Sequence, residues 1–495
     1  MNLERKNKML NELKDALNMT TTENGATAYV STKSECLDLF SRIGALRGRD
    51  HQEVQALFEK AYVEDKDLAM KILFYARDIR KGLGERQTFR NLITFLANTY
   101  PESVRKNLEW IPEFGRWDDL LCLIETPLRK DVLEMIRKQF VRDMEDVHHG
   151  NPVSLLGKWL PSINTSSWKT AWYGREIAKY LDISEREYRK SLTLLRKQIR
   201  IIEDNLRRVD YSFDYEDQPS GAMLKYRKAF MKHDMDRYKA YLDDVNNGKK
   251  TMHASTLYPY EIVRKLMYTV RHNDLERYAL DTAWRNLEDY EDSSNSLCVI
   301  DGSGSMYWSG AGIRPIDVAL SLGIYFAEHN KGEFHNHFIT FSQNPRLVEI
   351  KGSDIYEKVR YCSSFNEVAN TNLEKVFKLL LDTAVKNHMR KDDMPKMLYI
   401  ISDMEFDRCA DDSDMTVFEA AKKAFHEHGY LLPQVVFWNV ASRNDQSPVT
   451  KNEQGVALVS GATPKLFNMV ANGIPDPMTV MYDVLLSERY EMIKA

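Results

Sequence analysis

The chain has 495 residues, 43% of them apolar and 29% charged, with a net charge of −4 and a pI near 6.4. That length exceeds one ordinary core, so two or three domains are expected, and the near balance of charge excludes a global basic field for nucleic acid and leaves room only for local patches. Five scattered cysteines (Cys36, Cys122, Cys298, Cys362, Cys409) without a CxxC pair exclude a disulfide framework and a zinc ribbon, and fit a reducing cytoplasm.

No run approaches the roughly 20 apolar residues that cross a bilayer. The start, Met-Asn-Leu-Glu-Arg-Lys, reads as a charged helix rather than a secretion signal. The expectation is a soluble cytoplasmic protein with no membrane partner. Charge is split unevenly: residues 293–495 carry 20 Lys+Arg against 26 Asp+Glu, which leaves 49 against 47 for residues 1–292.

From about residue 32 to 290, apolar residues recur at helical spacing between short Gly, Pro or Asn breaks. Helices are predicted over 37–44, 52–64, 66–77, 85–98, 101–110, 117–125 and 130–147, then as longer elements over 185–208, 221–247 and 260–288. Their short lengths and rapid succession fit stacked helix pairs, as in an α-solenoid, although no sequence period is present.

Near residue 293 the texture changes to apolar β-rich runs alternating with helices, the pattern of a parallel α/β sheet. Strands are predicted over 297–301, 333–341, 346–350, 397–403, 434–440 and 455–460, with helices over 315–328, 371–387, 417–428, 464–469 and 475–485. The expected organisation is an all-α domain over 1–292 followed by an α/β domain over 293–495.

Asp301 closes the apolar run Leu-Cys-Val-Ile and opens Asp-Gly-Ser-Gly-Ser. In an open α/β sheet the loops at the carboxyl ends of strands form the ligand crevice. An aspartate with serines two and four residues on turns one carboxylate and two hydroxyls, from Ser303 and Ser305, toward a common point, and Gly302 and Gly304 permit the tight backbone. Such hard oxygens suit Mg²⁺, with Mn²⁺ or Ca²⁺ as substitutes. The plain alternative is that the serines cap the next helix. No catalytic base is visible: position 303 is Ser where an aspartyl phosphatase needs Asp, and 301 is Asp where a nucleophile elbow needs Gly. His329, His335 and His337 read as core or surface residues rather than ligands.

This loop resembles the metal-ion-dependent adhesion site of von Willebrand factor A (vWA) domains. The resemblance implies Thr371, in Ala-Asn-Thr-Asn-Leu, as the second-loop threonine, and Asp403, ending Leu-Tyr-Ile-Ile-Ser-Asp, as the third-loop aspartate. Six further motifs, in order, make the chain similar to the TROVE family of the Ro autoantigen and its bacterial relatives, and to an uncharacterised branch of TROVE-like proteins. They are Thr22-Glu-Asn-Gly25, Arg80-Lys-Gly-Leu-Gly-Glu-Arg86, Phe114-Gly-Arg-Trp-Asp-Asp-Leu120, Leu156-Gly-Lys-Trp-Leu-Pro161, Tyr188-Arg-Lys190 with Leu195-Arg196, and Ser402-Asp-Met-Glu-Phe-Asp407. The resemblance implies a HEAT-like helical ring closed by the vWA domain. Structured noncoding RNA would bind on a basic outer face and single-stranded ends in the hole.

Local chemistry gives that implication two places to act. Eight basic residues lie between Arg186 and Arg208 against three acids, and Arg189, Arg196 and Arg200 fall near one helix face, with Lys190 and Lys197 beside them. Lys225, Arg227, Lys228 and Lys232 are interleaved with Tyr226 and Phe230. Cations for phosphates beside rings for stacking are what RNA recognition needs. Solvated helix faces and a core Tyr226–Phe230 pair are the plain reading of the same residues, as interhelix packing is for Trp117 and Trp159.

The combined expectation is a nonenzymatic ribonucleoprotein component that binds noncoding or misfolded RNA, with a Mg²⁺-bearing domain recruiting an acidic protein partner. The rival is a protein-interaction scaffold with no RNA role. A metal-dependent nuclease would need a second carboxylate cluster, for which Glu405 and Asp407 are the candidates.

Overall fold

The structure is a computed structural model describing residues 18–254, 256–268, 273–289, 295–308, 312–342, 344–365, 372–407, 415–470 and 473–495. The charged helix expected at the N-terminus lies outside these. Two compact units form, one from Met1–Ile72 with Leu257–Arg489, the other from Leu73–Thr256 with Tyr490–Ala495.

The first unit is built on a parallel sheet. Its strands are β3 (Ser296–Asp301), β4 (His337–Phe341), β5 (Leu347–Glu349), β6 (Met397–Ser402), β7 (Gln434–Asn439) and β8 (Val456–Ser460), in the order β5-β4-β3-β6-β7-β8. All six predicted strands are present, the one over 333–341 shortened at its start. Every neighbouring pair is parallel except β4–β5. β3 and β6 are buried along their whole length; a strand covered on both faces needs an unbroken apolar run, and that run made them legible.

One face packs Leu297, Val299, Leu398, Ile400, Val435 and Phe437 against Val376, Phe377, Phe418 and Phe425. On the other, the helix Pro315–His329 is buried from Pro315 to Ala327, and its Gly323 lies so close to Ile300 that a Cβ would sit 2.1 Å from Cδ1. Tyr399 and Trp438 pack on Phe467 with ring centroids 5.0 and 4.7 Å away. An additional helix, Ile355–Ser363, N-capped by Asp354, lacks a counterpart among the predicted elements.

From β3 the chain steps to β4 on one side and later to β6 on the other. The direction of winding therefore reverses between β3 and β6, and a crevice opens at their carboxyl ends. Ahead of the helices, a ribbon of β1 (Met19–Thr21) and β2 (Thr27–Tyr29) joins this unit. Gly44 presses on the end of β8, its N–H 3.0 Å from Ser460 Oγ, where a Cβ would come within 2.4 Å of the Ser460 carbonyl oxygen.

The regular elements of the second unit are all helices among its described residues. The expected all-α region followed by an α/β sheet is the observed fold class. The three long predicted helices are corrected: each is two. Helix Glu185–Ile199 stops at Arg200, whose φ of 56° is left-handed, and Ile202–Arg207 follows. Ser220–His233 and Met235–Asn246 are parted at the non-helical Asp234, whose carboxylate takes the Tyr215 hydroxyl at 2.9 Å. In the first unit, Pro259–Met267 and Asp274–Arg285 are separate, the second capped by Asn273. Apolar spacing continues in phase through all three breaks, so periodicity alone reads across them.

Candidate functional site

Strand β3 delivers Asp301 to the crevice with no exposed surface. A buried carboxylate must be solvated by the protein: Oδ1 accepts the Ser303 N–H at 2.9 Å and Oδ2 accepts the Ser402 hydroxyl at 2.6 Å. Ser303 Oγ and Ser305 Oγ are 3.1 Å apart. The Ser305 hydroxyl in turn hydrogen-bonds Asp403, the residue that follows β6. Asp403 is 2% exposed, and its Oδ1 accepts the Glu405 N–H at 3.3 Å.

Two carboxylates are thus buried across one crevice. Burial first, then the charge of Asp403, push the Asp301 carboxyl up to about 7. Burial also raises Asp403, against the Ser305 hydrogen bond and the Arg443 cation, which lower it. Two carboxylates and two hydroxyls make a hard-oxygen donor set, and a divalent cation there would relieve the repulsion. Among the described residues no group of three or more His, Cys, Asp or Glu side chains is gathered for a metal, and the Asp301 centre itself has two such side chains with serine hydroxyls. Thr371 lies outside the described residues; its neighbour Asn372 caps the helix Leu373–Lys386.

Two residues absent from the sequence reading of the centre, Arg443 and Glu23, surround it with Glu405, which that reading offered as a carboxylate for a second cluster. Arg443, after β7, donates from Nη2 to Asp403 Oδ2 at 3.1 Å and pairs through Nη1 with Glu23 Oε2 at 2.9 Å. Glu405 is 1% exposed; Oε1 accepts the side-chain amides of Asn444 (2.8 Å) and Gln446 (2.6 Å), and Oε2 accepts the Glu23 N–H at 2.8 Å. Both its oxygens are engaged away from the Asp301 pair, so it is not poised as a second metal ligand. Thr22 Oγ1 donates to the Phe406 carbonyl at 2.6 Å, Asn24 Nδ2 to that of Glu405 at 2.7 Å, and Gly25 bridges Asp407. The first and last of the six motifs therefore form one structure beside the centre.

The other motifs pair likewise inside the helical unit. Arg77 Nε and Arg90 Nε donate to the two oxygens of buried Asp119 at 2.8 and 2.7 Å, and Arg86 reaches Asp118 at 2.6 Å. Gly115 lies against Asp119 and Arg77. The Tyr188 hydroxyl donates to the Pro161 carbonyl at 3.0 Å, and Arg196 binds the carbonyls of Gly157 and Leu160 and the Ser162 hydroxyl at 2.8–3.0 Å.

Those bonds sort the predicted RNA contacts. Arg196 clasps a turn; Arg227 is 5% exposed and bonds the Leu224 carbonyl. Phe230 is core, edge-on to Tyr215 at 5.2 Å. Arg189, Lys190 and Lys228 are exposed but do not line the groove described next. Lys197, Arg200, Lys225 and Tyr226 do line it, an open groove of about 950 Å³, with Arg116, Lys158, Trp159 and Arg208. Arg116 sits 4.5 Å over the Trp159 ring and Lys225 4.6 Å over that of Tyr226. Five acids, Glu203, Asp204, Asp210, Asp214 and Asp217, share the wall, and Glu203 takes the Tyr226 hydroxyl. The three histidines weighed earlier bond nearby backbone carbonyls.

Residues 22–149 and 127–293 match the family described as domain of unknown function DUF2828, and residues 295–475 match the one described as domain of unknown function DUF7788. An uncharacterised protein of Acanthamoeba polyphaga mimivirus is 29% identical over 506 residues, spanning 94% of this chain and 87% of that one. Among solved structures, the Ro (RSR) protein of Deinococcus radiodurans aligns with a TM-score of 0.46 and 14% identity, over 89% of this chain and 99% of that chain.

Proposed function

We propose that this chain, which belongs to the DUF2828 family, is a binding protein whose α/β unit is a vWA-type module that holds Mg²⁺ through Asp301, Ser303, Ser305, Thr371 and Asp403. Mn²⁺ or Ca²⁺ would substitute, and the metal would recruit a carboxylate from an acidic protein partner. The observation that carries this reading is the pair of buried carboxylates with two serine hydroxyls between them. Burying like charges is costly unless a cation completes the site. Calorimetry tests it: the wild type should bind Mg²⁺ saturably and Asp301→Ala should not. Saturable binding retained by the variant would show the ligands to be misassigned.

The helical unit's part in this reading is RNA contact, as the TROVE resemblance implies, in a cytoplasmic ribonucleoprotein. Its support is the groove that gathers Lys197, Arg200 and Lys225 beside the rings of Trp159 and Tyr226. Cations on a phosphate track next to stacking surfaces suit single-stranded RNA. Replacing Lys197, Arg200 and Lys225 together by Ala should reduce the slope of log affinity against log salt by about 2, at roughly 0.7 for each phosphate contact. An unchanged slope, or no RNA binding at low salt, would favour the protein-interaction scaffold.

A further inference from the structure

Within the α/β unit, a pocket of about 480 Å³ opens beside the candidate metal centre, walled by residues 45–53, by Trp308, Ile313, Pro315 and Val318, and by residues 440–443. Ser305 and Arg443 line it too, so the pocket is continuous with the centre through a proposed ligand and through the cation on Asp403. Its volume lies in the range of pockets that enclose a bulky side chain or small ligand.

The walls have two characters. Trp308, Ile313, Pro315, Val318 and Val440 form an apolar side, and Trp308 is 59% exposed, an uncommon state for so large a ring. Arg47, Arg49 and Arg443 line the pocket with Asp50 and Glu53; Arg49 pairs with Glu53 at 3.0 Å and with Asp445, and Arg443 pairs with Asp403 and Glu23. The Arg443 Nε is buried and meets no acceptor. The pocket therefore offers an apolar wall directly beside the centre where the metal would take a carboxylate, with room for an apolar group joined to that carboxylate.

We propose that this pocket reads the partner's sequence: an aspartate or glutamate that completes the metal's coordination is followed by a bulky apolar side chain seated against Trp308, Ile313 and Val440. The proposal rests on the metal reading above and adds the specificity of that site.

Two fluorescein-labelled peptides test it on the full chain in Mg²⁺, both glycine-serine sequences with a central Asp-Phe or a central Asp-Ser. Burying the phenyl ring should make Asp-Phe bind about tenfold or more tighter by anisotropy, and Asn-Phe and EDTA controls should abolish binding. Ile313→Glu, at a half-buried loop position outside the metal ligands, should erase the Asp-Phe advantage while calorimetry shows Mg²⁺ binding intact. Equal affinities for the two peptides, or none, with saturable Mg²⁺ binding would overturn this inference and leave the metal reading standing. Binding of a nucleoside monophosphate by the same pocket with neither peptide bound would likewise overturn it. No saturable Mg²⁺ binding by the wild type would remove both.

Discussion

The two units each bury a constellation of charges, and the two are built on opposite plans. In the helical unit Asp119 is fully buried between Arg77 and Arg90, opposite charges in direct hydrogen-bonded contact. In the α/β unit Asp301 is as deeply buried, yet its charged neighbour across the crevice is Asp403, a like charge. A buried set that neutralises itself has a structural purpose and needs nothing more. A buried set of one sign is completed only by something from outside, so it marks a binding site, while the first marks a clasp.

The sharpest way to break this comparison is to neutralise one aspartate in each unit. Asp119→Asn leaves two guanidinium groups short of their anion, one of them on a side chain only 2% exposed; breaking a buried pair from one side costs about 3–5 kcal/mol. Urea titration should show the helical unit destabilised by that much. Asp301→Asn removes repulsion instead, so in EDTA at neutral pH it should leave the α/β unit as stable as wild type or more so. Equal destabilisation by both variants would show that the like-charge description of the α/β site is wrong.

The pH dependence of the metal-free protein comes next in size. Asp301 is raised from 3.8 to about 7, so between those values the folded state holds a proton that the unfolded chain has released. The unfolded state then binds fewer protons, and stability falls as pH rises, by about 1.4 kcal/mol per unit. The loss is fully present above about pH 7 and absent below about pH 4. Thermal unfolding in EDTA across that window should show a decline that Asp301→Asn lacks and that Mg²⁺ suppresses; a flat wild-type profile would remove the repulsion from the account.

What the sequence disclosed follows the same division. The strands were readable because a doubly covered parallel sheet demands continuous apolar runs, and Asp301, Ser303 and Ser305 because the loop that holds them spans five residues. Glu23 and Arg443 were not, and Glu405 was read only as a carboxylate for a second cluster, since the bonds that join Glu23 to Glu405 and Arg443 connect positions hundreds of residues apart with no local signature. Charge alone also misled on the helices. Arg196 and Arg227 share their runs with exposed lysines, but their long stems let them turn inward to backbone carbonyls. The six motifs of the family resemblance proved to be three contacting pairs, clasps of the fold that also carry Asp403 at the centre and Arg116, Lys158 and Trp159 in the groove.

Arg443 is where the two plans meet, and it offers the smallest test. Its guanidinium shares Asp403 with the proposed metal and divides itself between that carboxylate and Glu23. The side chain is 28% exposed and Glu23 55%, so the contact with Glu23 is worth only about 0.2–1 kcal/mol, while the Asp403 carboxylate is 1% exposed. Removing the competitor in Arg443→Gln should raise Mg²⁺ affinity about two- to fivefold. Glu23→Gln leaves the guanidinium entirely to Asp403 and should lower it by a similar factor. Opposite shifts by calorimetry would make Arg443 an internal stand-in for the cation, held in check by the N-terminal segment; no shift in either variant would place it among the clasps, with Arg77 and Arg90.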